Sequence, residues 1–262
     1  MSTGESVPSA PSEPSRPWSV RALRRTGVTL LWLGALTLGF VVHQLFVTTW
    51  IAQLRQADLD AELERRFAQA EITTIEYRPA DLAHVAPSST TAADPPAGSG
   101  TVTEDEEPLL LFVESEPGIH EPFAQIRIPA IERLVDGWTV VEGVRRDDLR
   151  NGAGHMPWTP LPGQPGNAVI SGHRTTYGAP FHELDTLRAG DRIEVDTALG
   201  THVYEVRDSF VVRPTDVWVT EPRPGAWLTL TTCNPRFSAR ERLVVQAELI
   251  DGPNAAVIGG TA

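Results

Sequence analysis

A run of 21 residues without formal charge, GVTLLWLGALTLGFVVHQLFV at positions 27–47, constrains this chain more than any other feature. As a helix it spans about 31 Å, against about 30 Å for the hydrocarbon core of a bilayer. Arg21, Arg24 and Arg25 stand just before it and Trp50 just beyond it, at an interface position. Cytoplasmic flanks carry the excess of positive charge, so the N-terminus is expected inside and residues 50–262 outside. A cleaved signal peptide is the rival reading. It calls for an apolar core of about 7–15 residues followed by a small-x-small cleavage site. This run is longer and no convincing site follows it, so an uncleaved anchor is expected.

Charge divides the remainder. The net charge is −12, from 34 acidic and 22 basic residues, and every basic residue is arginine. Without lysine there is no Schiff-base or lysine-nucleophile chemistry on the chain. The acidic balance argues against nucleic acid as a partner, because displacing counterions needs a basic face. Residues 56–122 hold 15 of the acids against three arginines. Residues 51–71, rich in Ala, Leu, Glu and Arg, fit a helix continuing out of the membrane. The stretch 79–122 holds seven prolines, SSTTAADPPAGSG and the run EDEE, which reads as a tether. About 45 flexible residues have an r.m.s. span of roughly 35–40 Å. Met1–Pro17, rich in Ser and Pro, is expected to be disordered.

From Phe123 the pattern changes. FAQIRIPAI, GWTVVEGV, NAVISGH, DRIEVDT, HVYEVRDSFVV, AWLTLTT and RLVVQAELI recur between Gly, Pro and Asp turns. Short β-branched runs at this spacing predict an antiparallel sandwich or barrel, with brief helices near DDLR and FHELDTL. About 140 residues suffice for one independent core.

The single cysteine, Cys233, excludes an internal disulfide and a cysteine-only metal site. It ends the strand AWLTLTTC, and Arg242 opens the next. If Leu228, Leu230, Leu243 and Val245 face inward, Cys233 and Arg242 both face away from the core. Paired as a hairpin, they meet at its mouth, with Cβ atoms about 4.5–5.5 Å apart. A thiol beside a permanent cation is a reactive environment, although a lone cysteine also serves as a small buried hydrophobe. A nucleophilic thiol needs a histidine. His155, His173, His182 and His202 lie in the β-rich part. His173 stands out because it ends the strand NAVISGH and precedes the polar turn RTTYG.

Two segments, PGQPGNAVISGHRTTYGAPFHELDTLRAGD and LTLTTCNPRFSARERLVVQAEL, resemble a sortase. The second carries the family's TLxTC signature as TLTTC, with an arginine nine residues later. IRIPAI, VVEGV, DDLRNGAGHMP and PGQPGN match the family's order of elements, so the likeness covers nearly all of 123–250. GHRTTYGAPF and TTCNPRFSARERLVV are most similar to class E sortases of actinobacteria, and the all-arginine composition agrees. GAGHMPWTP departs from the usual GPGHYPGTP at Met156 and Trp158.

The resemblance implies a mainly β protein, an eight-stranded barrel with short helices, preceded by one transmembrane helix and a tether. The expected division is a cytoplasmic tail at 1–25, an anchor at 26–49, a helical then Pro-rich acidic tether at 50–122, and a catalytic domain at 123–262. It implies a cysteine transpeptidase with Cys233 as nucleophile, His173 as general acid/base and Arg242 as oxyanion or substrate stabiliser. Arg236 and Arg240 are nearby alternatives for the third role. Tyr177 and Thr232 are the expected substrate-binding residues. The implied partners are secreted proteins with a C-terminal LPxTG-like, here LAxTG, sorting signal and a peptidoglycan-precursor amine, with no metal or cofactor. The chain shows no second apolar run and no Asp-Pro-aromatic lid, which disfavours a pilin-polymerising role. An L,D-transpeptidase expects SHGC where this chain has LTTC. A non-enzymatic wall-binding β-domain with an inert Cys233 is the remaining alternative.

Overall fold

The computed structural model describes residues 18–78 and 109–259, which divide at Gln44–Leu45 into two compact units. Met1–Pro17 of the expected tail, and residues 79–108 of the expected Pro-rich stretch 79–122, lie outside the described residues. In the first unit, α1 runs from Trp18 to Val42. Its segment Val20–Val42, of mean hydropathy 1.5, is long and apolar enough to cross a membrane. The helix itself reaches back beyond the run 27–47, through Arg21, Arg24 and Arg25. A π-helical turn, His43–Val47, leads into α2 at Thr48–Gln69.

The second unit is built on eight strands: β3 (Pro122–Arg127), β4 (Trp138–Glu142), β5 (Ala153–His155), β6 (Gly166–Ser171), β7 (Arg192–Thr197), β8 (Gly200–Val212), β9 (Ala226–Asn234) and β10 (Glu241–Asp251). They close into a barrel in the order β10-β8-β7-β3-β4-β5-β6-β9. Closure leaves no unpaired edge in this sheet. Its interior is filled by Ile126, Ile170, Ile193, Tyr204, Leu228, Leu230 and Val245 among others, all fully buried. Tyr204 can sit there because its hydroxyl accepts from the Gly163 N–H at 2.7 Å.

Two features depart from the sequence expectation. The ladder is not wholly antiparallel: β4–β5 and β6–β9 run parallel. Nor does the stretch expected as tether stand apart from the barrel. Within it, β1 (Ile72–Tyr77) pairs antiparallel with β2 (Leu109–Glu114). Asn254 clasps β2 by accepting from the Phe112 N–H at 3.0 Å and donating to its carbonyl at 2.9 Å. α2 docks on β3 and β4 and on α3 (Arg146–Asn151). Gln56 accepts from Thr139 N–H at 2.9 Å and donates to the Asn151 carbonyl at 2.7 Å, while Asp60 accepts from the Thr139 hydroxyl and Arg55 donates to the Asn151 side chain. A short C-terminal helix, α4 (Ala255–Gly259), closes the described chain.

Candidate active site

Cys233 on β9, Arg242 on β10 and His173, two residues beyond the end of β6, come from neighbouring elements of the barrel. In the β9–β10 hairpin Cys233 is the register partner of Arg242, with Leu228, Leu230, Leu243 and Val245 turned into the core as the alternation predicts. On the other side of β9, parallel β6 pairs Ser171 with Thr231. The Gly172 N–H then donates to the Thr231 carbonyl at 3.1 Å, so the same register continued sets His173 beside Cys233. Neighbouring strands lie about 4.8 Å apart. Side chains pin this register: the Ser171 and Thr231 hydroxyls meet at 2.7 Å, and Thr232 donates to the Gly172 carbonyl at 2.8 Å. Thr232 is buried with its hydroxyl committed to that bond, so the structure places it between strands.

His173 is the unsatisfied member of the three. Its Nε2 is buried without a hydrogen-bond partner, and its ring lies 5.0 Å from that of Tyr177. Burial, reinforced by the Arg150 charge, holds its pKa below the ordinary histidine value, so the imidazole is neutral near pH 7. The other three histidines have structural surroundings. His155 lies between Glu142, at 2.8 Å from Nδ1, and the Pro160 carbonyl and Thr159 hydroxyl, each at 3.0 Å from Nε2. His202 is fully buried on β8 with Nε2 at 3.2 Å from the Thr197 hydroxyl. His182 is anchored by Nδ1 to the Arg174 carbonyl at 2.7 Å.

The turn after His173 is strained. Tyr177, Gly178 and Ala179 take φ values of 53°, 78° and 45° in succession. Left-handed non-glycine residues cost about 1–3 kcal/mol each and persist only where the surroundings hold them. Arg133 holds the turn by donating to the Gly178 carbonyl at 3.1 Å. Gly178 has no room for a side chain: a Cβ there would stand 2.4 Å from the Trp138 ring and 3.6 Å from Ala52 of α2.

Two groups of functional side chains escaped the sequence reasoning. Arg174, almost fully buried, donates to Asn234 Oδ1 at 2.6 Å and to the Cys233 carbonyl at 3.3 Å, and pairs with Asp185 at 2.8 Å. Arg236 binds the same Asp185 at 3.0 Å, which commits that alternative third residue to the loop. Arg242 itself donates to the Ala239 and Glu241 carbonyls, at 3.0 and 2.9 Å. The second group is an apolar wall. Arg242 also faces Val212 of β8, so Val212 and, two residues back, Phe210 share its face of the sheet. Trp218 stacks on Phe210 with centroids 5.6 Å apart and planes at 6°. The outward alternation in DSFVV was the available signal.

The sortase domain family matches residues 126–250, from β3 to the end of β10. Sortase SrtE1 of Streptomyces coelicolor is 32% identical over 154 residues, which are 52% of this chain and 43% of that protein. Sortase D of Bacillus subtilis is 34% identical over 97 residues, 37% of this chain and 48% of that protein. This chain therefore spans less than half the length of either relative. Among solved structures, sortase E from Streptomyces avermitilis is 36% identical, with 53% of this chain and 95% of that one aligned at a TM-score of 0.47. The matched stretch takes in nearly the whole barrel, and the chain belongs to the sortase family.

Proposed function

We propose that the chain is a membrane-anchored cysteine transpeptidase, held by α1 with its N-terminus in the cytoplasm and its barrel outside. The observation that supports this reading is the register of Cys233 against Arg242 on one side of β9, with Gly172, the residue before His173, bonded to the Thr231 carbonyl on the other. Cys233 gives its proton to His173 and its sulfur attacks the Thr–Gly carbonyl of a C-terminal sorting signal. The C–N bond breaks as His173 returns the proton to the departing glycine amine, leaving a thioester on Cys233. An amine of the cell-wall precursor then attacks the thioester; its N–C bond forms, the C–S bond breaks, and the proton passes back through His173 to the thiol.

The depressed pKa of His173 suits this exchange, because it starts as a free base able to accept the thiol proton. Arg242 stabilises the developing oxyanion with the donors of its guanidinium. Thr232 contributes indirectly, by fixing Gly172 and hence His173 against β9. Phe210, Val212 and Trp218 offer the apolar surface for the leucine of the signal. Tyr177 favours Ala over Pro at the signal's second position. Alanine there keeps a backbone N–H that a phenolic oxygen can accept, and proline has none.

The test is cleavage of LAxTG and LPxTG peptides, with transfer to an added amine, by the full chain in detergent micelles. Cys233→Ala and His173→Ala abolish turnover. Arg242→Lys loses most of it, because a point charge does not reproduce the guanidinium fork. Turnover retained in Cys233→Ala would sink the reading.

A further inference from the structure

A base that serves a nucleophile is ordinarily oriented by a third group that bonds its far nitrogen. Among the described residues no hydrogen bond reaches the His173 ring, and its buried Nε2 is without a partner. What confines the ring is packing. The Tyr177 ring lies 5.0 Å from it at 38°, and the guanidinium carbon of Arg150 stands 5.9 Å from the Tyr177 ring centre. Arg150, Tyr177 and His173 thus form a chain of contacts reaching the candidate site.

Arg150 is itself held from two sides. Its Nη1 donates to Asp147 at 2.9 Å within α3, which orients the guanidinium. The next residue, Asn151, is gripped by α2, its carbonyl by Gln56 and its side chain by Arg55. Gln56 also takes the Thr139 N–H of β4, so one side chain ties α3 to the barrel wall. Ala52, one turn earlier on α2 and wholly buried, lies beside Gly178 in the strained turn that carries Tyr177.

We propose that Arg150 is a positioning residue of the active site, holding the Tyr177 ring against His173, and that α2 sets where Arg150 stands through Gln56 and Asn151. The inference rests on the reading of His173 as the proton carrier. It makes the juxtamembrane helix a structural part of the catalytic unit, not only its delivery arm.

The Arg150 charge provides a readout that simple anchoring would not move. The other charged groups around His173 are engaged elsewhere: Arg174 on Asp185, Asn234 and the Cys233 carbonyl, and Arg242 on the Ala239 and Glu241 carbonyls. His182 is held on the Arg174 carbonyl. Arg150 is therefore the cation whose removal should let His173 protonate at higher pH.

The experiment follows the imidazole carbon resonance of His173 against pH in the full chain in micelles, assigned by its loss in His173→Gln. Arg150→Gln should move the titration midpoint upward and lower kcat/KM on the sorting peptide about two- to fivefold, the range expected for an exposed cation–ring contact. Arg150→Lys, which keeps a cation over the ring, should recover most of both. Gln56→Leu, with unchanged helix content, should lower kcat/KM in the same direction. An unmoved midpoint in Arg150→Gln overturns the role of Arg150, and wild-type kcat/KM in Gln56→Leu overturns that of α2. The titration is read without substrate, so failure of the wild-type chain to cleave any sorting peptide would count against the proposed function without deciding the midpoint.

Discussion

Arg174 is the tie that holds the end of the Cys233 strand to the loop after His173, and its removal has a calculable cost. Arg174→Met keeps the apolar stem and deletes the guanidinium. A hydrogen bond from a charged group contributes about 1.5–3 kcal/mol. The 2.6 Å bond to Asn234 counts in full, while the 3.3 Å contact to the Cys233 carbonyl counts for less. The ion pair with Asp185 belongs to the surface scale of about 0–1 kcal/mol, because the Asp185 side chain is 40% exposed. Against these, Nε is buried without a partner, and its removal relieves part of the loss. The balance is about 2 kcal/mol. For a domain of this size that lowers Tm by about 4–8 °C.

Circular dichroism melts of the full chain in micelles at pH 7 measure the difference. Burial pushes the Asp185 carboxyl up, but Arg174 and Arg236 outweigh it and hold its pKa below the ordinary carboxylate value. A group depressed on folding stabilises above its unfolded pKa, about 3.9, and loses that contribution as pH falls through the lower folded value. The gap between wild type and Arg174→Met therefore narrows in acid below that value. A variant melting within about 1 °C of wild type at pH 7 would show that this network does not secure the site.

Three further outcomes follow from the same geometry. Gly163→Ala should cost about 2–4 kcal/mol in denaturant unfolding, because φ is +80° and the new Cβ would stand 2.1 Å from Cε1 of fully buried His202. Burial lowers the His202 pKa to about 4, so the unfolded chain binds its proton first; stability should fall by up to about 3 kcal/mol as pH drops from about 6.5 to about 4, and His202→Phe should flatten that slope. Tyr177→Phe should narrow the LAxTG-over-LPxTG ratio by slowing the alanine substrate about 5- to 150-fold, since the deleted hydroxyl has no hydrogen bond among the described residues and is the proposed acceptor; an unchanged ratio assigns Tyr177 to packing alone.

The barrel was legible where alternation is regular and strands are long. Seven of its strands fall on the β-branched runs of the sequence. β5 does not, because Ala153, Gly154 and His155 carry no β-branched residue. What makes that strand is a close backbone approach: a Cβ on Gly154 would lie 2.1 Å from the Gly143 carbonyl oxygen. The docking of α2 and β2 was hidden for a different reason. Their buried apolar residues are sparse: Ala52 and Leu63 on α2, whose second half is rich in charge, and Leu111 on β2. Much of the grip comes from Gln56, Asp60, Arg66 and Asn254, polar side chains whose contacts leave no periodic trace.

The candidate site shows the same division more sharply. Cys233 and Arg242 are neighbours through a hairpin, so local alternation predicts that they meet. His173 follows a strand that pairs parallel with the strand of Cys233, and no local rule links residues that far apart. The pairing is enforced instead by side chains that each look unremarkable in sequence. Asn167 accepts from the Thr229 hydroxyl at 2.7 Å, Ser171 meets Thr231, and Thr232 closes on Gly172. A slip of one residue between β6 and β9 would turn His173 to the opposite face from Cys233 and would break all three bonds at once. Fixing the register of the sheet and assembling the site are therefore one physical requirement. The threonines before the cysteine in TLTTC meet it by pinning the strand on which the histidine arrives.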